Sequence, residues 1–172
     1  MTRPSPTQLL PPPRPLFVGC SLWIAFLLGM LSSGDTLIGL NILPVVLVFW
    51  NIHYPRQVGM GIAFLFGILM DIQSGFLLGS NALTYTILSF AAIVLRRRFL
   101  WFGHREQILQ LFILFSAQEL LFSLIQMLIG NISIGWDILI TPLLQSLLWP
   151  IMSFILQWPQ RRISKSESNR HR

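Results

Sequence analysis

Charged side chains are scarce in this chain: Asp, Glu, Lys and Arg make up 10% of its 172 residues, whereas 53% of the residues are hydrophobic. Soluble domains carry about 25% charged residues, so this composition excludes an ordinary water-facing surface. The single cysteine, Cys20, excludes an internal disulfide and a cysteine-cluster metal site. The three histidines lie outside the long apolar stretches, which excludes a serine–histidine pair within a membrane.

Motifs that bind cofactors are also missing. No glycine-rich loop precedes a Lys-Ser or Lys-Thr pair, and no His, Cys or carboxylate spacing suits a metal ion. We therefore expect no cofactor and no enzymatic activity. The net charge of +6 is confined to loops and tails, where anionic lipid headgroups are the expected partner and nucleic acid is not.

What the chain does have is six apolar stretches of nearly membrane-spanning length, since a bilayer core of about 30 Å needs roughly 20 helical residues. They cover residues 16–33, 36–52, 58–78, 82–99, 108–129 and 136–158. We predict an all-α polytopic membrane protein in which residues 16–158 form a six-helix transmembrane domain. We expect residues 1–15 to be a disordered, proline-rich cytoplasmic tail and residues 159–172 to be a basic cytoplasmic tail. Pro44 is expected to bend the second helix.

Every basic residue falls on one side of the membrane when the six stretches are threaded from the inside. Positive residues stay cytoplasmic during insertion, so both termini are expected inside, in a bacterial inner membrane. The basic residues at the membrane surface between the fourth and fifth stretches are Arg96, Arg97, Arg98 and Arg105. Four tryptophans are predicted at membrane–water interfaces, namely Trp50, Trp101, Trp136 and Trp158.

Small residues recur at intervals of four along the third stretch. We call this set the α3 ridge; it consists of Gly59, Ala63, Gly67, Asp71, Gly75 and Gly79. Such spacing lets another helix approach closely. The ridge predicts either packing within the chain or docking of a helix from a partner protein, and the pattern does not separate the two.

Two acidic residues lie within apolar stretches, and such residues are functional candidates by default. They are Asp71 and Glu119. The second belongs to a polar seam on one helical face, formed by Ser116, Glu119, Ser123 and Gln126. The arginines at 96–98 lie at the end of the fourth stretch and are expected to reach the headgroups, so no basic residue pairs with either acid within the apolar interior. Each acid is therefore protonated, solvated in a cavity, paired with another chain's cation, or hydrogen-bonded to neighbours such as Gln73, Ser74, Gln118 or Asn41.

The segment 67–85, GILMDIQSGFLLGSNALTY, resembles the signature of the MreD family of rod shape-determining membrane proteins. That signature pairs G-x-L-x-D with a following G-x-x-L-G-x-x-A-L-x-Y. The resemblance extends to length, hydropathy and the arginine cluster, and covers most of residues 16–160.

The resemblance implies a fold similar to the substrate-binding subunits of energy-coupling-factor transporters. It also implies a non-catalytic scaffold of the lateral-wall elongation complex (the elongasome), which organises peptidoglycan synthesis and cell shape. The expected direct partner is MreC, with RodA, a penicillin-binding transpeptidase and MreB in the same complex. The alternative is a small-molecule, vitamin-type transporter subunit, in which Asn41, Asp71, Glu119 and Gln126 line a cavity.

Overall fold

The computed structural model describes residues 15–32, 41–75, 78–101, 104–128 and 137–168. Within these ranges the chain is all-helical and forms no strand, so the predicted all-α class is confirmed. The helices are α1 (Pro15–Ser32), α2 (Leu43–His53), α3 (Gly59–Ser74), α4 (Ser80–Trp101), α5 (His104–Leu128) and α6 (Asp137–Ser168). Each overlaps one of the six apolar stretches. Nearly all of the predicted proline-rich tail lies outside the described residues.

Helix α2 is the short central element of the bundle. It packs against α1, α4 and α6, and its residues from Leu43 to Ile52 are all buried. At 1.5 Å per residue it is about 16 Å long, roughly half the thickness of a bilayer core.

The expected bend at Pro44 is wrong. Residues 41 and 42 are not helical, α2 begins at Leu43, and Pro44 therefore lies in the first turn. A proline there costs nothing, because the first amides of a helix have no carbonyl partner and the ring already fixes a helical φ. Pro44 starts the helix instead of bending it.

The other five helices expose large apolar side chains. Examples are Leu16 on α1, Leu65 on α3, Val94 on α4, Leu109 on α5 and Phe154 on α6, each at least 60% exposed. Two segments, Glu106–Leu128 and Ile138–Leu156, are long and apolar enough to cross a membrane, and only 22% of each is buried inside the protein. Apolar surface of this extent is unusual for a protein surrounded by water.

Helix α6 continues without interruption to Ser168, through the prolines Pro142 and Pro150. It therefore extends beyond residue 158, where the apolar stretch ends, into the predicted basic tail. Helix α4 likewise continues through the arginine cluster to Trp101. The basic residues that follow these two apolar stretches thus begin on helix and not on loop.

Trp50, predicted at a membrane–water interface, is buried within the bundle. Its side chain is 0% exposed, and its indole N–H donates a hydrogen bond of 2.9 Å to the Ser21 hydroxyl. It also packs edge-on against Phe17. The preference of tryptophan for interfaces is satisfied here by one polar partner within the bundle. The side chains of the other three tryptophans lie outside the described residues.

Candidate functional site

The carboxylate of Asp71 lies at the N-terminus of the next helix. Its Oδ2 accepts hydrogen bonds from the backbone amides of Gly79, at 2.8 Å, and Ala82, at 3.2 Å. Its Oδ1 accepts one from the amide of Asn81 at 2.8 Å. The side chain is 1% exposed. Asp71 of α3 thus caps α4, and the positive end of the helix dipole stabilises its charge.

Two of the side chains named as alternative partners for the acids, Ser74 and Asn41, make described hydrogen bonds elsewhere. The Ser74 hydroxyl donates to the Met70 carbonyl at 2.8 Å, within its own helix. The Asn41 amide group donates to the Tyr85 hydroxyl at 2.6 Å. A hydrogen-bonded carboxylate was among the interpretations left open, but its donors are main-chain amides, which no pattern of side chains displays.

Gly67 permits direct contact between the backbones of α3 and α4. A Cβ atom added to Gly67 would lie 2.3 Å from the Ala82 Cα, 2.7 Å from the Ala82 nitrogen and 2.8 Å from the Asn81 carbonyl oxygen. Ala63, one turn earlier, is 0% exposed. The middle of the α3 ridge therefore packs within the chain, against α4 at Gly67.

The ends of the α3 ridge have a different geometry. Gly59, Gly75 and Gly79 have φ values of 43°, 65° and 109°, and an added Cβ at any of them would meet no atom within 4 Å. Gly75 is the left-handed C-cap of α3, a conformation that glycine adopts without steric cost. These glycines shape the ends of the hairpin and leave open space beside it.

A second polar contact joins α4 and α6 to the residues before α2. Besides donating to Tyr85, Asn41 accepts a hydrogen bond on its main-chain carbonyl from the Gln145 side-chain amide at 3.1 Å. Its Oδ1 also accepts the amide of Leu43 at 3.2 Å. Gln145 is 0% exposed. Asn41, predicted as an intramembrane polar candidate, therefore ties three parts of the bundle together.

Two further polar contacts fix α2, and neither was predicted from the sequence. Asn51, 0% exposed, donates to the Ser89 hydroxyl of α4 at 2.9 Å and to the Leu47 carbonyl at 2.9 Å. Trp50 donates to Ser21 of α1. Isolated Ser, Asn and Gln residues within apolar stretches were the available signal, because a polar side chain in such a place needs a partner.

The polar seam of α5 lies at the edge of the bundle. Ser116, Glu119, Ser123 and Gln126 are all half-buried, as expected for residues on one face. The Glu119 carboxylate lies within electrostatic range of the Tyr85 hydroxyl, as does that of Asp71. The seam therefore borders the polar interior without being enclosed in it.

The arginine cluster contacts the end of α2. The Arg96 guanidinium donates to the His53 carbonyl at 3.5 Å, and Arg97 is exposed. The His53 ring stacks on Phe49 at 4.3 Å and its Nδ1 lies 2.9 Å from the Phe49 carbonyl oxygen. Burial lowers the pKa of His53 below its ordinary 6.5, and the Arg96 charge lowers it further, while the Phe49 carbonyl opposes the shift. The side chains of Arg98 and Arg105 lie outside the described residues.

Among the described residues, the polar side chains make contacts that join helices. Among the described residues no group of three or more His, Cys, Asp or Glu side chains could hold a metal ion. Two surface grooves, of about 440 Å³ and about 320 Å³, have largely apolar walls. Neither is lined by Asn41, Asp71, Glu119 or Gln126. What the polar residues do is join helices.

Comparison with known proteins gives two matches. A family model described as "rod shape-determining protein MreD" matches residues 15–158. The rod shape-determining protein MreD of Haemophilus influenzae is 27% identical over 125 residues, which cover 70% of this chain and 75% of that relative. No solved structure matches the chain significantly.

Proposed function

The chain belongs to the MreD family of rod shape-determining proteins, and from this premise we propose that it is a non-catalytic, multi-pass scaffold of the lateral-wall elongation complex in the bacterial inner membrane. The observation that carries the proposal is the extent of the family match, which covers all of α1 to α5 and α6 as far as residue 158. The resemblance seen in residues 67–85 is thereby confirmed. The curated relative is likewise described as a shape-determining protein.

The proposed topology has six membrane-spanning helices with both termini in the cytoplasm. The apolar outer faces of α1, α3, α4, α5 and α6 support it, since hydrocarbon is the solvent that suits them. Helix α2 is shorter than the bilayer core, but its apolar residues contact protein instead of lipid. Backbone buried in protein need not match the hydrocarbon thickness.

Reporter fusions test this topology. We expect a green fluorescent protein fused after residue 172 to fluoresce, because it folds in the cytoplasm. Alkaline phosphatase fused after Gly79 should be active, because it folds outside. The opposite pair of results would overturn the orientation.

A scaffold role agrees with what the two intramembrane acids do. The Asp71 carboxylate accepts hydrogen bonds from the backbone amides of Gly79, Asn81 and Ala82, which hold the start of α4 against α3. Glu119 lies on a half-buried seam away from both grooves. The transporter alternative needs the polar candidates around one cavity, and neither of the two described grooves is lined by them.

We propose MreC as the direct partner, with RodA, the penicillin-binding transpeptidase and MreB in the same complex. α4 packs directly against Gly67, so a partner helix cannot dock there. It can reach the outward face of α3 and the open ends of the α3 ridge. That face carries Gly61, where an added Cβ meets no atom within 4 Å, and the exposed Leu65 and Leu69. Bulk added at Gly61 changes this face without disturbing the bundle.

Affinity purification of the tagged full-length chain in mild detergent, followed by mass spectrometry, tests the partner. We expect capture of MreC and wall-synthesis enzymes, and a loss of MreC with Gly61→Leu. Gly19→Leu on α1 is the matched control, because an added Cβ there also meets nothing within 4 Å. Equal loss with both variants would refute docking on α3. Capture of a transporter ATPase pair instead of MreC would refute the scaffold.

A further inference from the structure

The smaller groove lies between α1 and α6, and α2 forms its floor. Its volume is about 320 Å³, and its walls include Phe17 and Leu28 of α1, Val46 of α2 and Leu156 of α6. The hydroxyl of Ser21 also lines it. That hydroxyl already donates to the Val18 carbonyl and accepts from the Trp50 indole. The groove therefore offers apolar contact and almost nothing to a polar ligand.

The length of the groove matches one leaflet of a bilayer. From Phe17 to Leu28 it follows α1 for about 16 Å, against about 30 Å for the whole hydrocarbon core. A membrane-spanning helix from a partner would need a groove running the full thickness. An acyl chain of a single leaflet needs only half of it, and the exposed residues Cys20 and Ile24 show that the groove is open at the protein surface.

Basic residues follow the groove-lining residues along α6. Helix α6 continues past Leu156 to Ser168 and carries Arg161, Arg162 and Lys165 on its following turns. Arg162 comes seven residues after Ile155, which lines the groove, so the two positions share a helical face. Helix α1 contains no acidic residue. With the single acidic residue Glu167, these turns of α6 have a net charge of +2, which suits an anionic headgroup.

We propose that the groove between α1 and α6 binds one acyl chain of an anionic phospholipid, whose phosphate lies at the level of the basic turns of α6. With both termini in the cytoplasm, which is part of the function proposed above, this lipid belongs to the inner leaflet. The lipid fills the space between two helices that the bundle itself leaves apart.

Native mass spectrometry of the full-length chain, with phosphatidylglycerol or phosphatidylcholine as the probe, tests the proposal. Each basic residue near an anionic headgroup contributes about 1 kcal/mol, so we expect phosphatidylglycerol to be retained about fivefold or more over phosphatidylcholine. Cys20→Trp fills the groove and should abolish retention. Leu120→Trp, on the exposed face of α5 outside the groove, is the control and should retain lipid like wild type. Equal retention by Cys20→Trp and wild type would overturn the site.

Neutralising the basic residues of α6 tests the contribution of the lipid headgroup separately from that of its acyl chain. We expect the double change Arg161→Gln and Arg162→Gln to remove the preference for phosphatidylglycerol, and Arg97→Gln at the end of α4 to preserve it. Equal loss with Arg97→Gln would overturn the site. A dimer mass that disappears with Cys20→Trp would overturn the lipid in favour of a second copy of the chain. Lipid retention and the reporter fusions are independent, so failure of one is distinguishable from failure of the other.

Discussion

Gly67 of α3 and Ala82 of α4 meet backbone to backbone, so that a single methyl group on Gly67 would approach the Ala82 Cα to 2.3 Å. No real Cβ contact is that short, and the atoms opposite are main chain, which cannot rotate away. The close approach also brings the start of α4 to the Asp71 carboxylate. One contact thus sets the geometry of the hairpin that carries the family signature.

Gly67→Ala is expected to destabilise the protein. Overpacking a filled interior typically costs about 1–3 kcal/mol, and displacement of a helix backbone lies at the upper end of that range. Gly61→Ala, on the same helix with open space around it, should be neutral or slightly stabilising, because alanine favours helix more than glycine does. Thermal unfolding of both variants in detergent checks this. Equal Tm values for the two variants would show that α3 and α4 can move apart without loss of stability.

Asp71→Leu should weaken the α3–α4 hairpin more than Asp71→Asn does. Hydrogen bonds to a charged group contribute about 1.5–3 kcal/mol each, and leucine removes all three acceptor contacts. Asparagine keeps one acceptor oxygen but loses the charge that favours a helix N-terminus. The measurement is protection of the α4 amides against hydrogen exchange. Unchanged hydrogen-exchange protection of the α4 amides in Asp71→Leu would contradict a capping role. Asp71 would then again be a candidate contact for a partner.

Trp50→Phe is expected to destabilise the bundle by about 1–2 kcal/mol, because the Ser21 hydroxyl loses its indole donor and a small cavity forms. Trp23→Phe is the control, since Trp23 is 53% exposed. A double-mutant cycle with Ser21→Ala isolates the hydrogen bond. Strictly additive effects of Trp50→Phe and Ser21→Ala on the free energy of unfolding would exclude a coupling between the two side chains.

Stability should fall in mild acid because of His53. Burial holds the pKa of His53 in the folded protein below its ordinary 6.5, so the unfolded chain binds the proton more readily. The contribution to stability is therefore complete above pH 6.5 and decreases as the pH falls through the folded-state pKa. Thermal unfolding between pH 5 and 8 measures it. His53→Gln should flatten this part of the pH profile; an identical profile in the variant would assign the titration to another group.

A feature was predictable from the sequence where side-chain type determines it, and not where folding brings distant groups together. Long apolar stretches predicted six helices in the correct order, because burial and lipid exposure both follow from side-chain type. The block 67–85 identified the family. The partners of Asp71 were not predictable from side-chain spacing, because its donors are amides freed by the start of α4. The burial of Trp50 likewise depends on Ser21, which is distant in sequence and becomes a neighbour only in the folded bundle.

The α3 ridge shows the same limit in a different way. Its regular spacing suggested one continuous surface, yet Gly67 contacts a neighbouring helix while Gly59 and Gly75 are required by their positive φ angles. The equally spaced glycines therefore serve two unrelated purposes, which are close helix packing and a positive φ angle. Docking of a partner helix at the open ends stays a prediction.

The burial of α2 on all sides has a consequence for how the protein is made. A helix that lipid does not cover gains its stability from α1, α4 and α6, and two of these three follow it in the chain. Its final packing therefore awaits synthesis of α6, so that entry into the membrane and completion of the fold are separate events. A truncated chain that ends before α6 would be inserted but not fully folded. The apolar surface of α2 would then stay partly uncovered and recognisable to quality-control proteases.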